Sequence, residues 1–93
     1  MLTVDTRVVA SPDVLIRELD GEAVLLNLAS ESYFGLDEVG ARMWQVLTTS
    51  ESIETAHAQL LAEYEVEPER LRQDLLALVA QLADHGLVEL HRD

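Results

Sequence analysis

Two apolar runs flank Asp20-Gly21 in the stretch "VLIRELDGEAVLLNL", residues 14–28. A type I′ turn needs positive φ at both central positions, and Asp and Gly tolerate it. The stretch therefore predicts a β-hairpin with a two-residue loop. That loop sets the register: Leu19 against Glu22, Arg17 against Val24, Leu15 against Leu26. One face then carries Leu15, Leu19, Val24 and Leu26, and the other Val14, Ile16, Ala23 and Leu25. With both faces largely apolar, the expectation is a sheet covered on much of both sides. Pro12 interrupts any strand running on from Val8, so residues 4–10 read as a separate short extended segment. A second turn, "ASES" at 29–32, returns the chain antiparallel through residues 33–36, completing a three-stranded meander.

The pattern then changes from period two to helical spacing. Asp37 is a good N-cap, and Val39, Met43, Val46 and Leu47 form one apolar face flanked by Trp44. "TTSES" ends that helix and starts a second, on which Ile53, Ala56, Leu60, Leu61 and Tyr64 share a face. A third opens at "VEPER", with Pro68 suited to the first helical position, and stops at Gly86, which suits the residue after the cap. Its stripe of Leu71, Leu75, Leu78, Val79 and Leu82 is widened by Leu76, Ala80 and Ala83. Such a broad stripe fits either burial between sheet and helices or one flank lining a groove. Residues 87–90 read as a last extended piece. The result is an α+β chain in one domain, 1–93, with a sheet over about 13–36 and helices over about 37–86.

Composition narrows the chemistry. Six arginines, no lysine and eighteen acids give a net charge of −12, with six acids in each of 1–36, 37–66 and 67–93. A field of that sign repels nucleic-acid phosphates. The acids either keep a small apolar protein soluble or attract a basic partner such as a Lys-containing peptide. No cysteine is present, which removes disulfides and thiolate metal sites and suits a reducing cytoplasm. No apolar run reaches membrane-spanning length, and "MLTVDTRVVASPD" lacks the marks of a signal peptide.

A survey for catalytic signals finds no P-loop, GxGxxG or GxSxG. His57, His85 and His91 lack ligand spacing: His57 reads as a solvated helix residue, His85 as a partner of a helix C-terminus, His91 as part of a frayed tail. No catalytic, metal or cofactor site is expected. What stands out is "ESYFGLDE", residues 31–38, which holds two of the four aromatics on a short strand with one unpaired edge. Alternation sends Tyr33 and Phe34 to opposite faces, so one can pack the core while the other is presented. The strand has neither Pro nor Lys to protect its edge, which invites an extended peptide to add as a further strand.

These residues carry a resemblance. "VLLNLASESYFGLDEVGARMWQVL", followed by "ADHGLVE", resembles the PqqD-like peptide-recognition elements of ribosomal natural-product pathways, most of all the stand-alone proteins of lasso-peptide biosynthesis. The likeness runs over about residues 14–89. Its turn "ASES" departs from the Asp-Thr-Gly common at this place in the family. The resemblance implies a winged helix-turn-helix-like fold and a non-catalytic, cytoplasmic adaptor that binds a precursor's leader peptide as a strand beside the third strand, in a cleft closed by the third helix. Carried over by position, the contacts come from Ser32, Tyr33, Phe34, Gly35 and Leu36, and from Leu71, Asp74, Leu75, Leu78 and Val79. The implied partners are the leader peptide, a leader peptidase and an ATP-dependent lasso cyclase, with no nucleic acid and no membrane. Alternative readings are a peptide chaperone of the pyrroloquinoline quinone pathway and a winged-helix nucleic-acid binder, which the charge opposes.

Overall fold

The structure is a computed structural model, and it describes residues 5–91. The chain runs β1 (Arg7–Ala10), β2 (Val14–Leu19), β3 (Glu22–Asn27), β4 (Ser32–Leu36), α1 (Glu38–Thr49), α2 (Ile53–Glu63), α3 (Pro68–Asp84) and β5 (Val88–His91). β2, β3 and β4 form the antiparallel meander in that order, and β1 pairs with β5 in a separate two-stranded ribbon. The extended segment at the N-terminus thus becomes β1, residue 4 lying outside the described residues, and the piece after Gly86 becomes its partner.

The local signals act as their chemistry dictates. Asp20 and Gly21 have φ of 54° and 85°, as a type I′ turn demands, and Leu19 pairs with Glu22, Arg17 with Val24 and Leu15 with Leu26. The Asp37 carboxylate accepts from the Gly40 N–H at 2.7 Å, and Ser52 caps α2 through the Thr55 N–H. α3 ends in a Schellman motif. Gly86 at φ 68° lets its own N–H reach the Ala83 carbonyl while the Leu87 N–H reaches Leu82.

One face of the meander meets the helices. Ala23, Leu25, Asn27 and Leu36 are buried there, with Phe34 half-buried, against Trp44, Val46 and Leu47 of α1 and Leu75, Val79 and Leu82 of α3 within the same core. Val8, Leu87 and Val88 seal the core from the ribbon side, and the Ile53 N–H donates to the Thr6 carbonyl at 2.9 Å. The expectation of a sheet covered on both faces is corrected here. All three helices bury their apolar faces in one core, and among the described residues nothing covers the far side of the sheet. There Leu15, Leu19, Val24 and Tyr33 are exposed, Leu19 at 76% and Tyr33 at 75%.

His57 also departs from expectation. It is 7% exposed, and its Nε2 lies 2.7 Å from the Pro68 carbonyl oxygen, to which it donates. Position 57 shares a helical face with Ile53, Ala56 and Leu60, and the first turn of α3 closes over it.

Candidate functional site

β4 pairs with β3 on one side only, so its other edge carries unpaired backbone groups among the described residues. The pleat decides what each residue does. Phe34 and Leu36 lie opposite Leu25 and Ala23 and turn inward, while Tyr33 and Gly35 lie opposite Leu26 and Val24 and turn outward. Phe34 is therefore the ring that packs the core, and Tyr33 is the one presented to solvent. Ser32 sits at the strand's start, its Oγ 2.7 Å from that of Ser30.

At one end, β4 meets the end of α3. The Phe34 and His85 rings stand edge to face, with centroids 5.2 Å apart. Asn27 holds this corner together. Its amide donates to the carbonyls of His85 and Gly86, at 3.0 and 3.4 Å, while its carbonyl accepts from the N–H groups of Ala29 and Ser30. One buried side chain thus satisfies the β3–β4 turn and the α3 C-terminus together. The sequence carried a signal for it: Asn27 follows Ala23 and Leu25 on the inward face, where a polar residue needs partners.

Of the helix residues expected at the site, Asp74 is exposed, Leu78 is half-buried and Leu71 is buried. Leu75 and Val79 have no accessible surface and belong to the core. Leu71 and Asp74 line an apolar pocket of about 140 Å³ with Val39, Met43, Leu60, Tyr64, Val66 and Arg70, where α1, α2 and α3 converge. Val66, an exposed apolar residue in the otherwise acidic loop before Pro68, was the available signal for that pocket.

A wider groove of about 750 Å³ lies between the β2–β3 turn, α1 and the end of α2, with Glu18, Asp20, Glu38 and Glu63 on its walls. Arg42 grips Glu63 with two bonds, Nε–Oε1 at 2.8 Å and Nη2–Oε2 at 2.7 Å. It also donates to Gln45, which in turn donates to Glu18. Hydrogen bonding to Arg42 holds the Glu63 carboxyl below the usual range, and the same bond raises Arg42. Among the described residues no group of His, Asp and Glu is placed to hold a metal ion, and no helix is long and apolar enough to cross a membrane.

Residues 22–88 match the family described as Coenzyme PQQ synthesis protein D (PqqD). The chain belongs to the PqqD family. The PqqD match begins at the first residue of β3 and runs into β5, so it includes β4, all three helices and the Asn27 corner. Two solved structures are similar in fold and sequence. One is TbiB1 in complex with the TbiA(beta) leader peptide, 35% identical, with a TM-score of 0.82 over 91% of this chain and 99% of that one. The other is a lasso peptide synthetase B1 complexed with the leader peptide, 29% identical, with a TM-score of 0.80 over 89% of this chain and 98% of that one. No curated protein matches the chain.

Proposed function

We propose that this protein is a non-catalytic adaptor that binds the leader peptide of a ribosomally made, lasso-type precursor in the cytoplasm and presents it to processing enzymes. The observation that carries the reading is the unpaired edge of β4, in a chain 35% identical over 91% of its length to a protein solved with its leader peptide. The leader adds as a strand along Ser32, Tyr33, Phe34, Gly35 and Leu36. Backbone bonds supply affinity and side-chain pockets supply selectivity. Asp74, Leu78 and Leu71 offer the helix side of the cleft, and Leu75 and Val79 support it from the core beneath. The net charge of −12 favours a leader bearing Lys or Arg.

The leader peptidase and the ATP-dependent cyclase are the partners that receive the bound leader. A strand added at the β4 edge leaves the outer face of the sheet open. The exposed Leu15 and Tyr33 there give the peptidase a surface continuous with the leader's own strand. A role in pyrroloquinoline quinone assembly is the second reading, favoured by the family description alone. Calorimetric titration with the cognate leader peptide tests the proposal: saturable, submicromolar binding is expected, and no saturation at tens of micromolar sinks it.

A further inference from the structure

Gly35 occupies the interior of β4, where glycine contributes least to a strand. Nothing among the described residues calls for it. Its φ lies outside the left-handed region, and a Cβ added there would meet no heavy atom within 4 Å. At Gly21, by contrast, the same addition would strike the Glu38 side chain at 2.8 Å. Gly35 instead helps line an apolar hollow of about 460 Å³ on the outer face, shared with Leu19 and Val24 and rimmed by Arg17, Glu22 and Asp37.

The pleat determines what an added strand would put there. A residue directly across from Gly35 projects to the same face as Gly35, because paired residues of neighbouring strands share a side. Its Cβ would stand about 5 Å from the glycine. Val24, on the next strand in, is paired with Gly35 and half opens onto the hollow. A large side chain can therefore lie across the bare glycine backbone and reach Val24, an arrangement by which aromatic residues compensate for glycine at sheet edges.

We infer that the hollow over Gly35 is the subsite for one bulky apolar leader side chain, aromatic or large aliphatic, standing directly opposite Gly35 in the added strand. This inference rests on the strand-addition reading. Gly35 is kept free of a side chain so that the peptide can supply one.

The test titrates the full chain with the synthetic leader peptide of its cognate precursor. The wild type is compared with Gly35→Ala and Gly35→Val, and each is run against an alanine scan of the leader. Gly35→Ala should weaken binding by about threefold and Gly35→Val by about tenfold or more, because the subsite is progressively filled. Melting temperatures should equal or exceed that of the wild type, since nothing in the free chain opposes the new side chain. One bulky leader residue should lose about tenfold on truncation against wild type and little against Gly35→Val. If Gly35→Val melts lower, the same coupling is read from Gly35→Ala. Equal leader affinity for wild type and both variants overturns the inference while leaving leader binding intact. Unchanged leader affinity with lost peptidase processing assigns the space to the enzyme and also overturns it. Absence of binding by the wild type overturns the adaptor reading instead.

Discussion

Phe34 and His85 meet edge to face, 5.2 Å between centroids and 67° between planes, and join the edge strand β4 to the C-terminal cap of α3. The His85 ring is fixed by Nδ1–H donation to the Gln81 carbonyl at 2.8 Å, and its own carbonyl accepts from Asn27. The end of the proposed cleft is thus set by β3, β4 and α3 together. His85→Ala should cost about 1 kcal/mol, typical of an aromatic pair, and should weaken leader binding by more than that alone explains. Denaturant unfolding and calorimetry on the same variant separate the two effects; unchanged leader affinity would remove His85 from the cleft.

Asn27 can be dissected by its two halves. Asn27→Asp keeps the acceptor for Ala29 and Ser30 but loses the donor to His85 and Gly86, so the turn should hold while α3 loosens at its end. Asn27→Ala loses both and should destabilise by about 2 kcal/mol, because buried backbone groups are left without partners. Hydrogen exchange should show faster exchange near Gly86 in both variants, and near Ala29 only in Asn27→Ala.

Leu75 and Leu78 lie close in sequence but in different surroundings. Leu75→Ala empties a fully buried site and should cost about 2–5 kcal/mol. Leu78→Ala, at a half-buried site, should cost about 1 kcal/mol and reduce leader affinity at least as much as it reduces stability. Thermal melts and titrations of the pair check this, and a Leu78→Ala variant with wild-type affinity would exclude Leu78 from the contact surface.

The Arg42–Glu63 pair gives a pH dependence of known sign. Glu63 is held below its ordinary value by the Arg42 hydrogen bond, so its contribution is present above the unfolded carboxylate pKa, about 4.3, and is lost as pH falls through the lower folded value. Both groups are partly solvated, so the effect is small. Wild type should melt slightly above Glu63→Gln at neutral pH, and the gap should close in acid. A gap independent of pH would show that the pair does not act through charge.

Leu15, 44% exposed on the outer face, and Leu28, 62% exposed in the turn after β3, probe apolar surface away from the Gly35 hollow. Leu28→Ser and Leu15→Thr should change stability by no more than about 0.5 kcal/mol and leave leader affinity intact. Peptidase-dependent processing of the precursor should fall. Normal processing by the double variant would place the enzyme's contact elsewhere.

Much of this protein is written locally. Asp20-Gly21 determines a hairpin and its register because a two-residue loop with positive φ admits one pairing. Asp37, Pro68 and Gly86 mark helix ends because the orphan backbone groups there accept few residue types. Alternation alone places Tyr33 and Phe34 on opposite faces. Which face lies inward was decided only by the tertiary structure, because both faces of the meander are apolar and only one is covered by helices. The same packing buried His57 under α3, joined the two ends of the chain as β1 and β5, and left Leu19 and Tyr33 in water. Periodicity reports which residues share a side; the partner that covers that side is a property of the whole chain.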